Sequence, residues 1–174
     1  LREVWQALYA PGKRVVAQIA PAVRVAIGEE FGLPAGKNTI GKIFTALRML
    51  GFDTVFDTSF SADLTVIEEA NELLYKLKNG EQKYPLGNSL PLFTSCCPAW
   101  VRFVETKYPE LLPYVSTCKS PMEMFGAVLK EYYKPADEEA GMETVSVAVM
   151  PCVAKKHEAA REEFKRNEVP DVDY

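Results

Sequence analysis

The sequence is poor in the features that mark membrane, nucleic-acid-binding and zinc-finger proteins. Its 174 residues contain no apolar stretch approaching the roughly 20 residues that a bilayer-spanning helix needs. The net charge is -4, and no basic stripe interleaved with aromatic residues predicts contact with nucleic acid. With one histidine and no Cys-x-x-Cys pair, a self-contained structural zinc site is not expected. The composition, 48% apolar and 25% charged, is that of a globular protein.

The four cysteines do not form the pattern of a disulfide framework. Cys96 and Cys97 are adjacent, and adjacent cysteines rarely bridge because the closed ring is strained. Since no export signal is visible, metal binding or catalysis is favoured over disulfides, with inert buried thiols as the alternative. We expect a cytoplasmic protein, with the periplasm as the alternative. A chain that begins at Leu1 is also expected to be a piece of a longer polypeptide.

Apolar strand-like runs alternate with amphipathic segments along the chain. The predicted strands are 13–20, 53–57, 90–94 and 144–150, and a polar loop with Gly87 precedes the third. The predicted helices are about 21–31, 38–50, 60–79, 98–107, 121–133 and 153–166. This alternation predicts an α/β fold in which a parallel sheet of about four strands is flanked by helices on both faces.

Two cysteine segments, 94–100 and 150–158, each follow a predicted strand and lead into a predicted helix. Carboxyl ends of parallel strands meet at one edge of a sheet, and helix N-termini favour anionic sulfur. Thiolates select iron–sulfur clusters, zinc or copper(I), and two cysteines on separate strand ends suit half of a Cys₄ iron–sulfur site. Cys97 and Cys152 are therefore candidate ligands, with buried structural thiols as the alternative. We expect Cys96, Cys97, Cys152 and Lys155 to face one cavity.

Cys96 and the charged residues near Cys152 have two interpretations each. Two neighbouring cysteines cannot serve one metal with the same geometry, so Cys96 is either a free thiol that carries protons or a small apolar residue. Lys155 and Glu158 form either an ordinary ion pair on a solvated helix face or a pair whose ammonium points at an anionic cofactor. His157 is expected on the exposed side of that helix and is not assigned as a ligand.

The long helix carries two patterns. Glu69, Glu72 and Lys76 share a face, which indicates either surface charge or, if the row is buried, proton acceptors spaced for relay. An apolar stripe follows the same helix at Leu64, Ile67, Leu74 and Leu77. Further along the chain, Trp100 and the cluster of Met122, Met124 and Phe125 are predicted core residues.

The two cysteine segments resemble the sequence signatures of a known enzyme family. Thr94-Ser95-Cys96-Cys97-Pro98-Ala99-Trp100 is similar to the first signature of FeFe-hydrogenases (TSCCPxW), and Met150-Pro151-Cys152-x-x-Lys155-x-x-Glu158 to the second (MPCxxKxxE). The similarity extends over essentially the whole chain, including residues 20–21, 56–60, 116–121 and 171–173. The third signature, with two more cysteines, and the accessory iron–sulfur domains are absent from the sequence. The chain thus resembles the N-terminal lobe of the catalytic domain as a single unit, residues 1–174.

The resemblance implies a cofactor, the H-cluster, in which a 4Fe–4S cubane is joined to a diiron unit with carbonyl, cyanide and azadithiolate ligands. Cys97 and Cys152 would bind the cubane, and the C-terminal lobe would supply the other two cysteines. Cys96 would exchange protons with the amine of the diiron unit. Lys155 would hydrogen-bond one cyanide. The remaining cofactor-binding residues implied by the resemblance are Ala20, Pro21, Ala22, Met150 and Pro151.

The family's proton path would begin at Cys96 and a water molecule. It would continue through Glu69, Ser116 and Glu72 and end near Lys76, where several members have arginine. The implied reaction is the reversible oxidation of molecular hydrogen to protons and electrons by a ferredoxin-type enzyme of anaerobic hydrogen metabolism. Implied partners are ferredoxin or another redox protein, maturation proteins and the C-terminal lobe, with no nucleic acid and no membrane span.

Two other functions remain open from the sequence. Nar-type iron–sulfur assembly and lamin-recognition proteins share the fold without a diiron site, but they generally have another residue at the position of Cys96. A hydrogen-sensing protein is the second alternative. We expect the isolated chain, with half of a cluster site, to bind no intact H-cluster and to be inactive alone.

Overall fold

A three-stranded parallel sheet lies between helices in the computed structural model, which describes residues 1–79 and 90–174. The strands are β1 (Lys13–Ile19), β2 (Thr54–Asp57) and β3 (Glu143–Val149), in the order β2-β1-β3. The helices are α1 (Arg2–Tyr9), α2 (Pro21–Ala26), α3 (Ile40–Met49), α4 (Ser59–Asn79), α5 (Pro98–Lys107), α6 (Pro121–Ala140) and α7 (Ala154–Ala159). The predicted α/β class, with a parallel sheet covered on both faces, is confirmed.

The central strand β1 is buried on both of its faces, as its nearly continuous apolar sequence predicts. On one face Val15, Ala17 and Ile19 form a cluster against which side chains of α1 and α3 pack. On the other face Val16 contacts Phe125 and Leu129 of α6. The sheet is therefore fixed between two helical layers, and its carboxyl edge is held in place.

The sheet has three strands rather than about four, because residues 90–94 pair elsewhere. The Phe93 N–H donates to the Tyr114 carbonyl at 2.7 Å, and the Ser116 N–H donates to the Phe93 carbonyl at 2.7 Å. These bonds make one isolated parallel bridge between Phe93 and Val115, away from β1, β2 and β3. The predicted loop around Gly87 lies outside the described residues.

Two predicted helix ends are wrong. The α6 helix continues through Pro135 to Ala140, where a loop was expected, because Asp137 is buried and accepts a 2.9 Å bond from Arg14 Nε. Gly141 then ends the helix with a φ of 62°. The last helix, expected to reach 166, stops at Ala159 and is followed by a 3₁₀ turn (Glu162–Phe164) and a hairpin of β4 (Lys165–Arg166) and β5 (Val169–Pro170).

Helix α4 is oriented opposite to its apolar pattern. Glu72 and Lys76 are only 4% exposed, whereas Ile67 and Leu77 are 56% and 59% exposed. The surface-charge interpretation of Glu72 and Lys76 is therefore wrong, and the predicted apolar stripe faces outward. Neither α4 nor any other helix in the described ranges combines the length and hydropathy needed to cross a bilayer.

Candidate active site

The first cysteine segment lies between the Phe93 bridge and the start of α5. Cys97 is the N-cap residue of α5 and is followed by Pro98 at the first helical position, a place that proline tolerates because its missing N–H is not needed there. Ser95 Oγ donates to the Cys118 carbonyl at 2.6 Å and ties the segment to residues 116–118. Both thiols, Cys96 and Cys97, are exposed and unbridged.

A cavity of about 510 Å³ opens beside these thiols. Its lining residues are Leu92, Phe93, Thr94, Cys96, Cys97 and Trp100. The aromatic rings of Phe93 and Trp100 meet edge to face with their centroids 6.0 Å apart. The cavity thus combines an apolar wall with two exposed sulfurs, a setting suited to a group that binds soft ligands.

The second cysteine segment follows β3 at the carboxyl edge of the sheet. The Ala20 N–H, just after β1, donates to the Val149 carbonyl at 3.1 Å, so Ala20, Pro21 and Met150 lie at neighbouring strand ends. Cys152 is exposed, and its carbonyl accepts a 3.1 Å bond from the Lys155 N–H. The parallel pairing of β1 with β3 thus places Ala20 beside the start of the second cysteine segment.

Lys155 joins the two cysteine segments. Its Nζ donates to the Cys96 carbonyl at 2.8 Å and to Glu158 Oε2 at 2.8 Å. Glu158 is only 4% exposed, so the pair is not an ordinary ion pair on a solvated helix face. His157, as expected, is exposed. The ammonium therefore lies beside the backbone of the Cys96–Cys97 segment.

The three sulfurs do not all line one cavity, contrary to expectation. Cys152 is not among the residues around the 510 Å³ cavity that Cys96 and Cys97 line. Across the described ranges, no group of three or more His, Cys, Asp or Glu side chains is close enough to hold a metal ion. The chain therefore offers exposed thiols at two neighbouring places rather than a complete ligand set.

A buried polar network lies behind the first cysteine segment. Ser116 Oγ donates to Glu72 Oε2 at 2.6 Å, and Lys76 Nζ lies 2.9 Å from Glu72 Oε1. Glu69, one turn earlier on α4, accepts a hydrogen bond from the Ser95 backbone N–H. Burial raises the pKa of Glu69, the Ser95 bond opposes that shift, and the charge of Glu72 adds to it.

These contacts bring together most of the residues of the predicted proton path. Glu69 is tied to Ser95, which immediately precedes Cys96, while Glu72, Ser116 and Lys76 form one hydrogen-bonded group. Cys118 also lies here, with Sγ 3.7 Å from Glu72 Oε2. Burial raises the pKa of the Cys118 thiol, and the charges of Glu72 and Glu69 raise it further.

Glu123 is a buried acid of this region that the sequence analysis did not select. Its side chain is completely buried at the start of α6, between the core residues Met122 and Met124. A charged residue inside an apolar run was the signal that could have identified it. The apolar neighbours Met122, Met124 and Phe125 instead indicated only a core position.

The sequence matches a family model described as iron only hydrogenase large subunit, C-terminal domain, over residues 13–174. It is 50% identical to the NADP-reducing hydrogenase subunit HndD of Solidesulfovibrio fructosivorans, over 98% of this chain and 29% of that protein. A solved structure of apo FeFe-hydrogenase HydA1 from Chlamydomonas reinhardtii superposes with a TM-score of 0.84 at 43% identity, covering 99% of this chain and 43% of that one.

The chain is also similar, at lower identity, to a protein that is not named as a hydrogenase. The chain is 37% identical to Protein NAR1 of Arabidopsis thaliana, over 88% of this chain and 33% of that protein. In each comparison the chain spans less than half of the matched protein. The family model, the identity to HndD and the superposition on HydA1 agree with the two cysteine segments. The chain belongs to the iron-only hydrogenase large-subunit family.

Proposed function

We propose that the polypeptide containing this chain is a ferredoxin-type hydrogenase that reversibly oxidises molecular hydrogen to protons and electrons at an H-cluster. This chain would be the N-terminal lobe of the catalytic domain and would supply half of the cofactor site. The observation that carries the proposal is the 2.8 Å bond from Lys155 Nζ to the Cys96 carbonyl, which joins the first signature segment to the second, just after β3.

The donor set fits two of the four ligands of a 4Fe–4S cluster. Cys97 and Cys152 are exposed, unbridged thiols on adjacent segments, and thiolate is the usual ligand of iron–sulfur clusters. The cofactor would supply the cleavage of hydrogen at iron and the uptake of electrons. Lys155 would donate a charge-assisted hydrogen bond to a cyanide of the diiron unit. The surrounding residues of the cofactor site would be Ala20, Pro21, Ala22, Met150 and Pro151.

Protons would move along the buried row behind Cys96. The Cys96 thiol would exchange a proton with the cofactor's amine and, through a water molecule, with Glu69. Ser116 and Glu72 would carry it further toward Lys76. The raised pKa of Glu69 supports this role, because a carboxyl that ionises less readily can hold a proton for transfer.

The remaining half of the site would come from the C-terminal lobe of the same polypeptide. The outward apolar face of α4, with Val66, Ile67, Leu74 and Leu77 each at least 50% exposed, supports an interface of this kind. The matched relatives extend well beyond this chain, so their polypeptides have further residues that could cover such a face. The isolated chain would bind no intact H-cluster.

Infrared spectroscopy of the matured full-length protein tests the proposal. We expect carbonyl and cyanide stretching bands, together with hydrogen oxidation and evolution. In the Cys96→Ala variant the bands should persist while turnover falls by about 100-fold or more, the scale of a lost proton-transfer group. His157→Ala is the control, because His157 is exposed, and should keep turnover. Absence of the bands would refute the hydrogenase, and full turnover in Cys96→Ala would refute the relay.

A Nar-type iron–sulfur assembly protein is the second candidate, favoured by the similarity to Protein NAR1. Such a protein would bind iron–sulfur clusters at the same cysteines without a diiron unit. Cys96 argues for the hydrogenase, because the assembly proteins generally have another residue there. Iron and labile sulfide without carbonyl or cyanide bands would establish this alternative.

A further inference from the structure

Glu123 is a fully buried carboxyl group in the first turn of α6. The side chain is 0% exposed, and neither Oε1 nor Oε2 finds a donor among the described residues. A buried ionised carboxylate without a partner is strongly disfavoured. Asp137, near the other end of the same helix, is also buried, but it has Arg14 Nε at 2.9 Å. The two buried acids of α6 therefore have opposite environments.

The position of Glu123 in the helix does not satisfy its carboxyl group. Ser120 is the N-cap residue, and its hydroxyl accepts the Glu123 N–H at 3.4 Å. The sequence Ser-x-x-Glu is a capping box, in which the glutamate normally accepts the N–H of the serine in return. Here the carboxyl makes no such bond, and its electrostatic partners are instead Glu158, Asp171, Lys119 and Lys155.

The charges around Glu123 balance only when its carboxyl is neutral. Lys155 pairs with Glu158 at 2.8 Å, and Lys119 forms an ion pair with Asp171. Each lysine thus already has a carboxylate, and Glu123 is a third acid that interacts electrostatically with both ammonium groups. Arg166 also has its own carboxylate, since its Nη1 lies 2.9 Å from Glu131 Oε1, and its Nε is 3.7 Å from Asp171 Oδ1.

The electrostatics of the cluster agree with this count. Burial raises the pKa of Glu123 to about 8, and the negative charges of Glu158 and Asp171 act in the same direction. Lys119 and Lys155 oppose the shift. Of the other elements packed on α6, α4 carries the buried Glu72–Lys76 pair, 2.9 Å apart, and Thr65, which donates to Met124 Sδ at 3.3 Å. Thr144 of β3 donates to Asp137.

We propose that Glu123 is protonated at neutral pH and acts as a positioning residue for Lys155. With Glu123 neutral, the Lys155 ammonium remains on Glu158 and on the carbonyl of Cys96. When Glu123 loses its proton to solvent, a third carboxylate competes for that ammonium and weakens its contact with the cysteine segment. The consequence for catalysis depends on the proposed function of Lys155, whereas the proton on Glu123 does not.

The protonation state can be measured directly in the full chain without any cofactor. A protonated carboxyl has a C=O stretch at higher frequency than a carboxylate, and that band shifts in deuterated water. We expect the wild-type chain at neutral pH to show this band and to lose it in alkali. Glu123→Gln should remove the band, and Glu68→Gln, which changes an exposed glutamate, should leave it. A wild-type chain without the band would overturn the proposal.

The positioning role requires a second measurement, the NMR signal of the Lys155 ε-CH₂ group as a function of pH. In the wild-type chain this signal should shift through a transition near the pKa of Glu123, and in Glu123→Gln the transition should disappear. The Lys130 signal, from a lysine paired with Asp173, is the control and should not show it. A Lys155 signal that is constant over this range, or unchanged by Glu123→Gln, would refute the role. Because neither measurement needs an H-cluster, failure here is distinct from failure of the proposed function.

Discussion

Because α6 and the segment 171–174 are in close contact at Gly126, we expect a single added methyl group there to lower the free energy of unfolding strongly. Gly126 lies where a Cβ atom would be 2.8 Å from Val172 Cγ2 and 2.7 Å from the carbonyl carbon of Asp171. Backbone atoms at such distances must move. The Gly126→Ala variant is therefore expected to push this segment away from the helix.

The segment that would move is well anchored. Val172 is 2% exposed, and the Asp173 N–H donates to the Ser146 carbonyl at 3.0 Å beside β3. Overpacking of this kind costs about 1–3 kcal/mol, and exposing a buried valine costs about 1.5–3 kcal/mol. Because partial displacement relieves part of the overpacking, we expect Gly126→Ala to lose about 2–4 kcal/mol of unfolding free energy.

A matched variant separates this contact from the general effect of alanine in a helix. A Cβ atom on Gly41 of α3 would meet no atom within 4 Å, and Gly41 is exposed. Gly41→Ala should therefore be neutral or stabilising by up to about 1 kcal/mol, since alanine restricts the unfolded chain. Urea unfolding of the wild type and both variants measures the difference. Equal stability of Gly126→Ala and Gly41→Ala would refute the packing of the segment on α6.

Three further predictions concern the buried charges and the cysteines. Lys76→Met leaves Glu72 buried without its ion-pair partner and should lower the free energy of unfolding, measured in urea, by about 3–5 kcal/mol. The double variant Lys76→Met, Glu72→Gln should recover most of this loss. A free energy of unfolding for Lys76→Met that equals the wild-type value would contradict the pairing. The pKa of Glu123 is raised from 4.5 to about 8, so the folded state binds the proton more tightly than the unfolded state. Between these two pH values, the free energy of unfolding should fall by up to about 1.4 kcal/mol for each unit that the pH rises. Glu123→Gln should flatten this pH dependence, and an unchanged slope in that variant would contradict the raised pKa of Glu123. Cys97→Ser and Cys152→Ser should each reduce iron bound by the full-length protein after reconstitution, whereas Cys118→Ser should not; equal iron in all three would exclude the proposed ligands.

The strands of the sheet were predictable because they are mostly apolar in sequence and are buried between helices. The sequences of β1 and β3 are short, β-branched and apolar, and such runs between helices indicate buried parallel strands. Residues 90–94, Leu-Pro-Leu-Phe-Thr, are also mostly apolar, yet the N–H and C=O groups of Phe93 bond to residues 114–116 instead. A local pattern identifies an extended segment, but it does not identify the partner of that segment.

The ends of the helices were also difficult to predict, because they depend on contacts with distant residues. Pro135 indicated a helix end, since proline removes a backbone donor, but the ion pair of Asp137 with Arg14 stabilises another turn. The pairing of residues far apart in sequence is not visible in a single sequence. The two cysteine segments were found because each follows an apolar, strand-like run. Only the second follows a strand of the sheet, and its contact with the first is the bond from Lys155 Nζ to the Cys96 carbonyl.

Helix α4 shows why the buried polar row requires an explanation beyond stability. An amphipathic helix normally buries its apolar side, yet α4 buries Glu72 and Lys76 with side chains only 1% exposed. Replacing a buried ion pair by apolar residues of similar volume is often neutral or stabilising, so the pair itself adds little to the fold. A proton path, by contrast, needs ionisable groups that are shielded from solvent and in hydrogen-bond contact, as Glu72 is with Ser116 at 2.6 Å. If proton transfer is the reason for this arrangement, the Glu72→Gln, Lys76→Met double variant of the matured full-length protein should fold and keep the proposed carbonyl bands while losing turnover. Full turnover in that folded variant would leave the orientation of α4 without a functional explanation.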